Sequence, residues 1–209
     1  EPRDAPTLPG REVAGSELDD AGWPDLIDEA RSGIVPFPGG ELRISLTPAM
    51  TLIDIDGQLP PVALALAGAK AVAETIRRHG IGGSIGIDFP TVAGKQERQA
   101  IGEAIDAVLP KPFERTAVNG FGFLQIIRPR TNASLFELAA DRAPFEARAL
   151  LRSASRQVGA IRLAANPAVI AALEANPGWV GQLMRQVGGA VTLRGDPKLA
   201  MSAGYAEPA

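Results

Sequence analysis

Three aspartates stand at the ends of apolar runs. TLIDIDG (51–57) carries Asp54 and Asp56, and GSIGIDF (83–89) carries Asp88 just before its last residue. Desolvating an unpaired carboxylate is costly, so an acid that closes an apolar strand either caps a turn or faces something positive. Asp54 and Asp56 share strand parity, and their side chains face the same way. Carboxylates that converge without His or Cys nearby make a hard-cation site, for Mg²⁺ with Mn²⁺ as the alternative. Such a site suits phosphodiester hydrolysis. The competing reading is that these acids cap turns, for which Asp56-Gly57 is an ordinary dipeptide. Spacing alone leaves both open.

Cations are candidates for phosphate contacts. Lys95 and Arg98 lie one turn apart on a helix that starts soon after Asp88, where they would meet phosphates beside the acids or simply face solvent. Arg115, Arg128 and Arg130 would extend a basic strip, with ordinary surface as the equal alternative. Phe121 and Phe123 alternate along a strand. A base could stack on either, but core packing is the stronger expectation. His79, the sole histidine, reads as a cap at a helix C-terminus. Lys70, Arg77 and Arg78 read as solvated, and Trp179 as the anchor of a short helix.

The positioning elements follow from periodicity. ELRISL (41–46) alternates as a half-buried strand, Thr47-Pro48 turns the chain, and MTLIDID returns antiparallel to it. Residues 61–79 form a helix with a Leu64, Ala67, Ala71, Ile76 stripe, closed by HGIGG. GSIGIDF is the next strand. A strand–helix–strand crossover sets the two strands parallel and side by side, which brings Asp54 and Asp88 together at the sheet edge that ligands favour. A helix at 93–109 follows, then FERTAVN and GFLQIIR as strands joined at Asn119-Gly120 by a tight hairpin turn. Beyond 134 come a helix at 143–157, strand AIRLA, helices at 166–175 and 178–186, strand AVTLR and a tail.

The fold class is therefore α/β: a mixed sheet with crossover helices, followed by a small α/β domain. The expected boundaries are an extended N-terminal arm with a short helix (1–39), a metal-binding subdomain (40–134) and the small domain (135–209). The chain has 209 residues, a net charge of −3, 45% hydrophobic residues and no cysteine. That excludes disulfides and thiolate zinc sites, and it excludes a uniformly basic nucleic-acid binder. No segment reaches the roughly 20 apolar residues of a membrane span. The opening EPRDAPTLPG lacks the apolar core of a signal peptide, so a cytoplasmic location is expected. The missing initiator Met fits a longer gene product.

Four collinear blocks resemble the catalytic region of the ribonuclease E/G family of bacterial endoribonucleases: GGELRISLTPAMTLIDID (39–56), GIGGSIGIDF (80–89), KQER (95–98) and NGFGFLQIIRPRTNASL (119–135). The resemblance covers roughly 24–205. It implies a DNase I-like subdomain followed by a small domain. It also implies Mg²⁺-dependent cleavage of single-stranded RNA, often A/U-rich, in RNA processing, leaving 5′-phosphate and 3′-hydroxyl ends. Asp54 and Asp88 match the family's metal-binding aspartates, and Asp56 takes the place of an asparagine that positions the scissile phosphate. An aspartate there trades a hydrogen-bond donor for negative charge. Pro48 stands where the family has Glu. The zinc link between subunits is absent, so a homo-oligomer would have to form without it. The family's RNA-gripping S1 domain is expected N-terminal to residue 24, where these residues have no room for it. The alternative is a non-catalytic relative that binds RNA or protein as a regulatory module.

Overall fold

The computed structural model describes residues 15–209. In chain order the elements are α1 (Gly15–Asp20), α2 (Trp23–Ser32), β1 (Ile34–Phe37), β2 (Gly40–Leu46), β3 (Thr51–Gly57), α3 (Pro61–Arg78), β4 (Gly83–Asp88), α4 (Lys95–Val108), β5 (Glu114–Arg115) and β6 (Phe123–Arg128). They continue with α5 (Leu135–Ala140), α6 (Arg142–Ala154), β7 (Ile161–Ala165), α7 (Pro167–Glu174), α8 (Pro177–Val187), β8 (Val191–Gly195) and β9 (Tyr205–Pro208). The described strands form a six-stranded mixed sheet, ordered β1-β2-β3-β4-β6-β5, and a three-stranded sheet, β8-β7-β9. The protein is α/β, and no described helix is long and apolar enough to cross a membrane.

The large sheet separates its faces by strand parity. Leu42, Ile53, Ile55, Ile85, Ile87, Leu124 and Ile126 point to one side and are buried with Leu64, Val72 and Ile76 of α3 and Ile101 and Ile105 of α4. Burying each such side chain stabilises the fold by roughly 1.5–3 kcal/mol. The other face keeps Arg43, Ser45, Asp54, Asp56 and Asp88 exposed. Over this open face Phe123, Leu52 and Met50 close on Gly86, where a Cβ would stand 2.7, 2.9 and 3.0 Å from their nearest atoms.

The β2–β3 hairpin turns where Thr47-Pro48 suggested. Thr47 Oγ1 donates to Met50 O at 2.7 Å and accepts from Met50 N at 3.1 Å. The β3–α3–β4 crossover gives a parallel pair in which Asp54 is the register partner of Asp88.

Several expectations need correction. Residues 15–20 are helical rather than an extended arm, while 1–14 lie outside the described residues. A strand forms at 34–37 despite Pro36, because β1 is an edge strand and has an unpaired side on which a missing N–H costs nothing. The sheet therefore starts before residue 40. The expected strand over FERTAVN pairs only at Glu114 and Arg115. Asn119-Gly120 does not make a two-residue turn: the connection runs to Gly122, which takes the positive φ of 96°, and Asn119 Oδ1 accepts from the backbone N–H of both Phe121 (2.9 Å) and Phe123 (3.0 Å). At the other boundary, Phe136, Ala139 and Phe145 still belong to the first core, whereas Ala147, Leu150 and Ala154 belong to the second. Helix α6 joins the two cores, and the packing boundary falls within it rather than at 134.

Buried ions seal the junction around α2. Glu29 receives Arg78 Nη2 at 2.9 Å, and its Oε2 lies 3.0 Å from His79 Nε2. Arg31 forks onto Glu146 of α6, Nη2 at 2.7 Å and Nε at 3.0 Å. His79 is indeed the residue capping α3, but it is 2% exposed and stacks on Phe136 with ring centroids 4.5 Å apart. Phe136 thus belongs to the first core.

Candidate active site at the carboxyl end of the sheet

Four strands contribute one row of side chains across the open face. Arg43 opposes Asp54, Asp54 opposes Asp88, and Asp88 opposes Phe123. Register partners share a face, so the two carboxylates are direct neighbours at the carboxyl ends of parallel strands. Neither makes an ion pair with a described residue. Partial desolvation raises the Asp54 carboxyl above its ordinary value, and the charges of Asp56 and Asp88 raise it further. An Ile55 backbone hydrogen bond and Arg43 work against the rise. A raised carboxylate beside like charges is one that a cation would relieve.

Asp56 sits two positions further along the same face, and its Oδ2 accepts from Arg43 Nε at 3.0 Å. The same guanidinium reaches Glu41 Oε1 at 2.8 Å. The structure therefore turns Asp56 toward Arg43 instead of completing a three-carboxylate cage, and no group of three or more His, Cys, Asp or Glu poised to hold a metal occurs among the described residues. Two carboxylates with water still fit Mg²⁺, which commonly uses one or two carboxylates plus a substrate phosphate. Arg43 was missed in the sequence. Counting back from the Thr47–Met50 turn pairs position 43 with position 54, and that count was the available signal.

The cations divide. Lys95 is exposed at the start of α4 and shares a cleft of about 310 Å³ with Arg98, Gln99, Arg115, Ala117 and Val118. Arg98 Nη1 donates to the carbonyls of Val92 (2.9 Å) and Ala93 (2.6 Å), so it braces the loop between Asp88 and α4. Arg115 points to the helix side of the sheet, where it grips Asp106 with Nε at 2.8 Å and Nη2 at 2.6 Å. That hydrogen bond holds the Asp106 carboxyl below its usual range despite partial burial. Arg128 pairs in register with Gly83, five residues from Asp88 and about 16 Å away along the strand. Arg130 lies further on and pairs with Glu137 at 2.7 Å. The expected strip from Arg115 through Arg130 does not form: Arg128 and Arg130 lie at the opposite end of the sheet from the acids.

Phe121 departs most from expectation. It is 85% exposed, not packed in the core, whereas Phe123 lies half-buried over Gly86.

Fold and site together define an α/β protein with an acidic strand-end site and a cationic cleft around the corner. The chain is similar to proteins named Ribonuclease G: 29% identical over 118 residues to that of Escherichia coli K12, and 30% identical over 118 residues to that of Haemophilus influenzae Rd. The Salmonella typhimurium protein of the same name is 28% identical over 118 residues. Each match covers 51% of this chain and 24% of the relative, so the chain matches about a quarter of the length of these curated relatives. No family model matches. The similarity supports a relationship to the ribonuclease E/G family.

Proposed function

We propose that this chain is the catalytic core of a metal-dependent endoribonuclease with a DNase I-like subdomain, acting on single-stranded RNA. The observation that carries the reading is the register pairing of Asp54 with Asp88 at the carboxyl ends of parallel strands, without an ion pair to any described residue. Similarity to proteins named Ribonuclease G supports RNA as the substrate. The expected products are 5′-phosphate and 3′-hydroxyl ends, with a preference for A/U-rich sequence.

Asp54 and Asp88 would hold the cation, Mg²⁺ or Mn²⁺, through carboxylate oxygens. When bound, the cation supplies charge neutralisation at the phosphodiester and activation of water. Arg43 pairs with Asp56 and lowers the negative potential that an approaching phosphate meets. Lys95 attracts the RNA backbone, and Arg98 holds the 92–94 loop that carries Lys95 into place. Arg115 and Asp106 fix α4 against β5.

The test incubates the protein with a fluorescent A/U-rich single-stranded RNA, in Mg²⁺ or EDTA, beside Asp54→Asn and Asp88→Asn. Internal cleavage that needs Mg²⁺ and vanishes in both variants is the expected result. If wild type and variants are equally inert, the catalytic reading fails and the chain is better read as a non-catalytic RNA- or protein-binding module.

A further inference from the structure

We propose that Phe121 is a stacking platform for one unpaired base of the RNA strand that the acidic strand ends receive. This rests on the nucleic-acid reading above and adds a binding residue to it.

A single exposed apolar side chain needs no explanation in itself. Phe121 differs in how firmly it is presented. Asn119 Oδ1 accepts from the Phe121 and Phe123 N–H groups, and Asn119 N donates to Phe123 O at 3.0 Å. Gly122 N donates to Asn119 O at 3.2 Å, and Phe89 N donates to Gly122 O at 3.1 Å. Thr91 Oγ1 reaches Phe121 O at 3.4 Å. Gly122 holds φ at 96°, and a Cβ there would strike the Phe89 carbonyl. The backbone is thus clamped from both sides, and the clamp leaves the ring in water.

Position supplies the second argument. The loop hydrogen-bonds to the segment that immediately follows Asp88. Upstream, Ala117 and Val118 line the cleft of Lys95 and Arg98, and downstream Phe123 is the register partner of Asp88. Phe121 therefore lies on the stretch of chain between a cationic cleft and the acidic row. A strand running from one to the other would pass the ring.

Chemistry chooses the occupant. Asn119, Gly120 and Thr91 beside the ring offer polar groups or no side chain, a setting that suits the polar edges of a base better than the apolar surface of a protein partner. One π-face is enough to stack one base, and stacking tolerates any base. The platform accordingly selects unpaired strands over duplex without reading sequence.

The test measures binding on an Asp88→Asn background in Mg²⁺ and low salt, so that cleavage does not intervene. Labelled single-stranded RNA is titrated with the parent, Phe121→Ala and Phe121→Tyr, with melting temperatures confirming that all three fold alike. A loss on the order of tenfold for alanine, with affinity retained by tyrosine, is the expected result. An abasic nucleotide placed at successive positions should reproduce that loss at one position, and should add nothing to Phe121→Ala. Equal affinity of alanine and parent, or equal loss in tyrosine and alanine, overturns the stacking role alone. A parent that binds no single-stranded RNA overturns the nucleic-acid reading and the platform with it.

Discussion

The molecule gathers carboxylates in two places and treats them in opposite ways. At the α2 junction Glu29 and Glu146 are buried, and each is held by an arginine, Arg78 and Arg31, with the His79 ring packed beside Glu29. At the sheet edge Asp54 and Asp88 are exposed neighbours with no described cation bonded to either. Arginines pair with unburied acids too, as Arg43 does with Asp56 and Arg130 with Glu137, so the unpaired state of Asp54 and Asp88 is not a matter of exposure alone. A buried acid keeps its place only while its partner is present, because removing one side leaves an uncompensated charge in the interior. Unpaired acids set side by side repel each other, which weakens the fold and suits the binding of something positive.

Mutations at the two places should separate these roles. Asp54→Asn or Asp88→Asn should lower Mg²⁺-dependent RNA cleavage about 10³-fold, equivalent to ~4 kcal/mol. The melting temperature should hold or rise because repulsion is relieved. A variant that unfolds at the same time would show that the edge acids are structural after all. Arg31→Met should do the reverse. It leaves Glu146 buried without its partner and should cost about 3–5 kcal/mol in urea unfolding, while cleavage per folded molecule stays unchanged.

Acid titration probes the junction further. Burial holds the His79 imidazole down to about 4 from its ordinary 6.5, partly offset by the Thr75 carbonyl, with Arg78 pushing it down as well. A neutral ring carries one proton and serves either Thr75 O or Glu29, not both. Between pH 6.5 and 4 the unfolded chain takes up a proton that the folded chain refuses, so stability falls as pH falls through that window, by at most about 3 kcal/mol. Burial raises Glu29, against the pull of Arg78. Its contribution therefore runs the other way and is lost as pH rises above its ordinary 4.5. The clearest His79 slope should lie in the upper part of the window, and His79→Gln should flatten it in urea titrations at stepped pH.

The smallest effects separate the cations of the cleft. Arg115→Ala should cost under about 1 kcal/mol of stability, as exposed ion pairs do, and should barely change RNA affinity. Lys95→Ala should weaken binding a few-fold and reduce the salt slope by about 0.7. Equal effects on affinity would put Arg115 on the RNA after all.

Much of the acidic site was legible because it follows from local rules. Alternation gave the strands, the apolar stripe of α3 gave the crossover, and the crossover put Asp54 beside Asp88. What the sequence hid was decided by distant partners. Glu29 and Glu146 look like solvated helix residues until the arginines that bury with them are known. Arg115 looked available until the parity of a two-residue strand turned it onto α4. Phe121 and Phe123 have the same residue type and spacing, yet a glycine at φ 96° sends one ring over Gly86 and the other into water. β1 escaped notice because its proline is tolerated only at an edge, and edge position is a property of the finished sheet.

Helix α2 also carries a consequence for how the protein comes into being. Arg31 and the Glu146 that it clasps are 115 residues apart. A ribosome adding about 5–20 residues per second takes roughly 6–23 s to supply the second after the first. For that interval the nascent chain has made α2 and the strands after it, but not the acid that fixes α2 in place. The helix must wait on α6, so a joint begun at Arg31 is closed only when synthesis has moved 115 residues further.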